Sequence, residues 1–349
     1  MRKSVSICLV TLLFIASVFG NASAAENDSS LQLVDTIPLP ALHDGDFDHF
    51  AKDVDGHRLF LTAEANGTVE VFDSTSNKHI HAITGLKSPH ALLYRRDTNR
   101  LFVVDGDASR IRIYDATTFR PVGQIMVAID ADSMAYDPDT KYLYVVNGGR
   151  AAKTPYSWIS VIDTSATKKL RDIKIDTNWV EALALEKSGP RLFCVLTSQN
   201  AIGVMDRAGN SLTATWPLPD GSKHPVALGL DEPNHRLFVT TREPGQLIVL
   251  NSDTGKIVSQ LATVGMIDDL SFDPKLKRIY LAGDGAIEIY SQKDPDHYSL
   301  LGKIPGGFRA KTGLLVPEWN RYYLAVPRHQ KHDAEVRVYK VGPQDAPRV

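Results

Sequence analysis

Apolar and polar positions along this chain fall into short blocks that repeat, with no sustained helical period. The stretch RLFVVDGDASRIRIYD, from Arg100, sets two apolar runs around an Asp-rich turn. Close copies start at Arg58 (RLFLTAEANGTVEVFD), Arg191 (RLFCVLTSQNAIGVMD), Arg236 (RLFVTTREPGQLIVLN) and Arg278 (RIYLAGDGAIEIYS). Looser copies start at Tyr142, with a longer middle, and at Arg321. The seven anchors are separated by 42, 42, 49, 45, 42 and 43 residues. Self-similarity at this period, built from strand-forming residues, marks a propeller or a solenoid.

Each unit reads as four strands. In the second unit they are His90 to Tyr94, Leu101 to Val104, Arg110 to Tyr114 and Pro121 to Val127. Tight turns are signalled by Asn66-Gly67, Pro244-Gly245 and Asp284-Gly285. Seven such units make an all-β, seven-bladed β-propeller of four-stranded antiparallel blades. The last unit stops after its third strand at Val341, while an unpaired strand, LQLVDTIPL, occupies residues 31–39. That strand is expected to complete the last blade and so remove an edge open to pairing with other chains. Residues 25–349 are therefore read as one propeller domain rather than two.

The first 24 residues stand outside this pattern. Arg2 and Lys3 precede an apolar run from Val5 to Phe19 and then Ala22-Ser23-Ala24, the layout of a cleaved secretory signal peptide. The mature protein is expected to be exported, to the periplasm or the exterior, and monomeric. No stretch approaches the roughly 20 apolar residues of a membrane-spanning helix. Cleavage removes Cys8 and leaves Cys194 alone, which excludes an internal disulfide and a cysteine-based metal cluster. Losing Arg2 and Lys3 takes the formal charge from −2 to −4, which argues against nucleic acid or anionic membranes as partners.

Residues 136–147 (YDPDTKYLYVVN) and 157–175 (SWISVIDTSATKKLRDIKI) resemble the YncE-like family of seven-bladed propellers built from YVTN repeats. The name-giving tetrapeptide stands here as Tyr144-Val145-Val146-Asn147, and weaker copies cover essentially the whole mature chain. The resemblance implies an exported propeller and assigns no reaction. Other seven-bladed propellers include metal-dependent lyases and lactone hydrolases, an analogy of fold alone.

Recurrent polar residues have a structural reading first. Asp73, Asp115, Asp163, Asp206 and Asn251 end the third strand of their units and are placed to cap the turn into the outer strand. The anchor arginines recur at one turn and read as a solvated or blade-bridging set. A different set lies ten residues before each anchor: Asp48, His90, Asp132, Glu181, Val226, Asp268 and Lys311. Blades related by rotation place equivalent positions in a ring around the channel, so six ionisable groups should meet at its mouth. His224 is expected to project to the same side in the unit that offers Val226. Two residues further in, Phe50, Leu92, Met134, Leu183, Leu228, Leu270 and Gly313 should form a mostly apolar floor.

The long turns of the third and seventh units, GGRAAKTPYSW and PRHQKHD, are expected to overhang this face. They bring Arg150, Lys153, Tyr156, Trp158, Arg328, His329 and His332 as contact candidates, with Asp46, Asp130, Trp179, Asp269 and Arg309 from neighbouring loops. The face should be acidic over most of its rim and basic near the seventh unit. Repelling carboxylates can be relieved by raised pKa values or by a divalent cation: Ca²⁺ or Mg²⁺, or Zn²⁺ or Mn²⁺ with imidazole ligands. Asp48, His90, Asp132, Glu181 and Asp268 are the candidate metal ligands, with His90 the candidate general base and Glu181 its catalytic companion.

Three readings of this face stand side by side. In the first the ring is a wet channel mouth without further purpose. In the second the protein is a binding or scaffolding module that presents the face to a protein, peptide or small molecule through Asp48, His90, Asp132, Glu181, His224, Asp268, Lys311, Arg309, Arg150 and Trp158. In the third it is a metal-assisted hydrolase or lyase of the lactonase kind. A role as accessory subunit of exported redox enzymes also fits, although no cofactor-attachment motif is present. Gly-rich phosphate loops and nucleophile elbows are likewise missing from the chain.

Overall fold

A computed structural model describes residues 30–343. The expected signal peptide lies outside them. Seven four-stranded antiparallel sheets follow one another along the chain. In the second blade the strands are Pro89–Arg95, Arg100–Asp105, Arg110–Asp115 and Pro121–Met126, ordered from the channel outward. Helical structure among the described residues is confined to six single 3₁₀ turns of three residues each.

Closure is made by the strand Leu31–Leu39, which pairs antiparallel with Ala334–Val341 and becomes the outermost strand of the seventh blade. Ile37 lies opposite Val336 and Leu39 opposite Ala334. The first and last strands of the propeller thus share one sheet, and the ring is fastened by backbone hydrogen bonds between the two ends.

Packing explains how a chain of this length manages without one large core. Seven apolar clusters sit between neighbouring blades, one per interface. Leu101 and Val103 pack with Phe60, Val69 and Val71 of the first blade, whereas the intervening Phe102 and Val104 pack with Leu143 and Val145 of the third. Successive side chains of a strand point to opposite faces, and here both faces are buried. That is why the anchor strands read as unbroken apolar runs. The cluster between blades seven and one includes Ile37, Leu59, Leu61, Phe72, Tyr323 and Val336.

The recurrent acids behave as the repeat predicts. Asp115 Oδ1 accepts the backbone N–H groups of Thr117 at 3.1 Å and Thr118 at 2.7 Å. Asp163 caps Ser165 and Ala166, and Asn251 caps Asp253 and Thr254, in the same way. Several anchor arginines bridge blades. Arg191 donates to the Ser252 carbonyl at 2.6 Å, Arg236 to that of Pro295 at 2.9 Å, and Arg278 to that of Pro343 at 2.7 Å. These three arginines tie blades four to seven in succession on the face opposite the ionisable ring.

Ile37 is 3 % exposed and belongs to the closing interface. Ile37→Ala should therefore cost about 2–5 kcal/mol, the usual range for truncating a buried Ile. Urea unfolding checks this, and a loss below 1 kcal/mol would mean that closure does not depend on this strand's packing.

Candidate functional site

The innermost strands, among them Phe50–Asp53, Pro89–Arg95, Met134–Asp137, Val180–Leu185 and Thr312–Val316, converge on the channel. The residues ten before each anchor sit at or just ahead of these strands. Backbone bonds already hold them there: Asp48 N–H to the Thr62 carbonyl at 3.1 Å, Asp132 N–H to that of Val146 at 3.0 Å. All seven line one cavity of about 160 Å³. Below it a second space of about 220 Å³ is lined by Phe50, Leu92, Met134, Leu183, Leu228 and Leu270, and the two share His49, Ser133, Ala182 and Asp268. Gly313 does not join this floor. A Cβ there would stand 2.1 Å from the Tyr322 hydroxyl, so the bare backbone makes way for a buried tyrosine of its own blade.

The ring is a lattice of ion pairs. His90 Nδ1 lies 2.8 Å from Asp48 Oδ2 and 3.7 Å from Asp132 Oδ1. Its Nε2 meets Ser88 Oγ at 3.1 Å. His49 Nδ1 lies 3.0 Å from Asp269 Oδ1, and its Nε2 3.9 Å from Asp48 Oδ1. Asp268 accepts from Arg242 on one oxygen and from Lys311 on the other. Glu181 accepts the Trp179 indole N–H at 2.5 Å. Asp48 and Lys311 are 7 % and 8 % exposed, so these charges are largely removed from water and depend on one another.

Proton affinities follow from the pairing. Burial opposes ionisation of Asp48, yet His49, His90 and Lys311 outweigh it and hold the carboxyl well below its usual range. Burial also opposes charge on His90, but Asp132 and Asp48 raise it to about 10. His49 is raised by Asp48 and Asp269 against the same burial. Burial raises Asp132 to about 6, with His90 pulling the other way and Asp48 adding to the rise. Glu181 is pushed up to about 8 by burial and then by Asp132. The pairing thus favours the charged form of both imidazoles, while burial favours the protonated forms of Asp132 and, more strongly, Glu181.

Several expected site residues stand elsewhere. His224 turns away from the ring: its φ of +50° breaks the strand alternation on which the expectation rested. Its ring packs tilted against Trp179, 5.3 Å between centroids, and meets Glu243 at 3.3 Å. Arg150 lies over the Trp179 ring, 3.4 Å from its centroid, on the rim rather than in the cavity. Trp158 packs edge-on against Tyr156, and Lys174, not a rim residue, covers Tyr156. Arg309 pairs with Asp46 at 2.5 Å. Arg328 donates to the Pro40 and Leu42 carbonyls and His329 stacks on Phe308, so the seventh blade's long turn packs on neighbouring loops and does not line the cavity.

Three residues of the cavity escaped the sequence reading. His49 directly follows the ring residue Asp48, where alternation would send it aside; Asp269, expected at this face, is its partner. Glu64, which opens the 3₁₀ turn after the second strand of blade one, and Arg242, near the end of the second strand of blade five, line the same cavity. Both stand six residues after an anchor, a position shared by Gly106. A Cβ at Gly106 would stand 2.9 Å from His90 Cδ2 and 2.6 Å from the Ala131 carbonyl, so glycine there leaves room for the imidazole.

A larger cavity, about 590 Å³, opens at the other ends of the strands of blades four to six. Its polar groups are spent on the fold. Glu186 holds the anchor Arg191 at 2.8 Å, and Glu232 caps the Lys187 and Ser188 N–H groups at 2.7 and 2.8 Å. The ionisable ring is the site with chemistry to offer.

A metal ion would find its nearest donors in Asp48, His49 and Asp132, whose ligand atoms lie within 4.8 Å of one another. The wider set of Asp48, His90, Asp132, Glu181 and Asp268 does not present itself as one shell. Asp268 is held by two cationic side chains, and each imidazole must surrender a proton its neighbours hold firmly. Much of the repulsion that called for a cation is answered by side chains of the protein, least so at Asp132 and Glu181.

The class defined by fold and ring is that of seven-bladed β-propellers with an ionisable channel mouth. Among solved structures, the chain is similar to a chain of Kuenenia stuttgartiensis hydrazine synthase, with TM-score 0.74 and 17 % identity over 87 % of this chain and 97 % of that one. It is equally similar to a chain of the mitotic checkpoint complex, with TM-score 0.74 and 15 % identity over 96 % of this chain and all of the other. Likeness at this identity carries the fold and nothing more. No family model and no curated protein matches the sequence.

Glu181 gives a pH signature. Its proton is held more tightly in the folded protein, at about 8, than at the ordinary value of 4.5. The stability this contributes is complete below about pH 4.5 and is lost as pH rises through about 8. Thermal melts of Glu181→Gln should match the parent near pH 4 and exceed it at pH 9. Parallel profiles across that range would show that Glu181 ionises freely. Imidazole NMR supplies a second check: His90 should stay protonated past pH 8, and Asp48→Asn should lower its midpoint.

Proposed function

We propose that this chain is an exported propeller of the YncE-like, YVTN-repeat kind that works as a binding module through its channel mouth. One observation carries the reading: a cavity of about 160 Å³ lined by nine ionisable side chains of both signs, set on an apolar floor. A few convergent polar groups over apolar lining is the composition of a small-molecule or side-chain site. A channel that merely admits water has no need to bury Asp48 and Lys311 and then neutralise each with a partner from another blade.

The membership proposal draws support from Asn147, the last residue of the tetrapeptide. It is 1 % exposed, accepts the Ala128 N–H at 3.0 Å and donates to Ser160 Oγ at 2.8 Å. An amide there fastens the segment between blades two and three to the second strand of blade three, a reason for a repeat to specify it. A protein-binding role is in keeping with the similar chain found in the mitotic checkpoint complex. Within the described residues no helix is long and apolar enough to cross a membrane. Export rests on Arg2, Lys3 and the Val5 to Phe19 run, and amino-terminal sequencing of the exported protein should begin at Ala25.

Metal-assisted hydrolysis has less support. His90 at about 10 is an acid at neutral pH, not a base, and carries its proton to Asp48. A thermal-shift screen of polar small molecules and of Ca²⁺, Mg²⁺, Mn²⁺ and Zn²⁺ separates the readings. Under the binding reading an organic ligand raises the melting temperature, and Asp132→Asn or Lys311→Met abolishes the shift while the far-ultraviolet spectrum stays that of the parent. A ligand at a hundredfold excess over Kd adds about 2.7 kcal/mol of stability. Stoichiometric metal lost in Asp132→Ala would replace this reading with the metal-centred one.

A further inference from the structure

The charges around the mouth are not evenly spread. On blades three and four the carboxyl groups are under-compensated. Asp132 is 3.7 Å from His90 Nδ1, beyond hydrogen-bond reach, because that imidazole is committed to Asp48 at 2.8 Å. Glu181 has the Trp179 indole and, among the described residues, no ion-pair partner. Around blade six the excess is of the opposite sign. Arg242 leans in from blade five and Lys311 from blade seven, and both bond the single carboxylate of Asp268. Going round the ring, an acidic pole on blades three and four thus stands beside a basic one on blades five to seven, both lining the same cavity.

We infer that the channel mouth takes a small zwitterion of the free α-amino acid class, with its ammonium group at Asp132 and Glu181 and its carboxylate at Arg242 and Lys311. This rests on the binding-module reading and specifies its ligand. A ligand with a cationic end alone leaves the excess of Arg242 and Lys311 unanswered, and one with an anionic end alone adds to the repulsion at Asp132. A zwitterion answers both poles with charge-assisted hydrogen bonds.

Size agrees with the charge argument. The polar cavity of about 160 Å³ and the space of about 220 Å³ beneath it, apolar except along His49, Ser133, Asp268 and Asp269, each fall below the roughly 300 Å³ where ordinary ligand sites begin. The polar chamber suits a glycine-sized head. Leu92, Met134, Leu183 and Leu228 below would receive an aliphatic side chain. Bringing an ammonium group to Glu181 favours its ionised form, so binding should expel a proton near neutral pH.

Isothermal titration calorimetry on the mature protein at pH 7 tests this with L-2-aminobutyrate, L-leucine, n-butylamine and butyrate as probes. At least one amino acid should bind ten times or more tightly than both single-charge controls. Its heat should vary with the ionisation enthalpy of the buffer, reporting proton release. Asp132→Asn and Arg242→Gln should each weaken it at least tenfold; Lys311→Met serves in place of any variant that fails to fold. Equal binding of butylamine, or of butyrate, would overturn the inference in favour of a simple cation or anion site. If neither amino acid binds while another ligand depends on Asp132 and Lys311, the zwitterion is wrong and the binding module stands. If no ligand depends on the ring, both fall.

Discussion

Everything in this molecule depends on burying both faces of each blade. A four-stranded sheet exposed on one side would leave Phe102 and Val104, or Leu101 and Val103, in water, and only a neighbour on each side removes both pairs. Repetition alone produces a row with two raw ends. The strand Leu31–Leu39 turns the row into a ring by entering the last sheet beside Ala334–Val341. With no ends left, the innermost strands have one possible arrangement, around a common axis.

That arrangement imposes a chemical problem. Whatever residue occupies the start of the inner strand is brought face to face with its six counterparts, in a space with little water. Four carboxyl groups placed there could not all be charged unless something answered them. The answer is drawn from several positions in the repeat: His90 and Lys311 from the ring itself, His49 from the residue after Asp48, and Arg242 from the end of a second strand. Such pairs are costly to assemble away from water and costlier to break. They bias which groups hold protons, and they leave Glu181 as the ring acid without an ion-pair partner among the described residues.

The fold was legible because it is written seven times. Spacing located the blades, and rotation converted one position per repeat into a ring that the structure gathers into a single cavity. Even the closing strand could be read, as the missing fourth strand of an incomplete unit. Side-chain reach was not legible. Arg242 and Glu64 stand at one shared offset after their anchors, but nothing in spacing says that Arg242 crosses to Asp268 in the next blade. His224 failed for a local reason, a left-handed backbone that no periodicity reports. Gly106 could have been noticed only by asking what its missing side chain makes room for.

The expectation of a metal rested on one position of the repeat. Counting acids at the ring position suggested a surplus of negative charge, and a divalent cation is the usual remedy. The count omitted His49 and Arg242, which belong to other positions of the repeat yet reach the same space. Once they are included the mouth is a lattice of both signs with a pole of each, which is the basis for proposing a ligand that carries both charges. In a closed propeller the chemistry of the axis belongs to no single ring, and the sign of a site is settled by every position whose side chain can reach it.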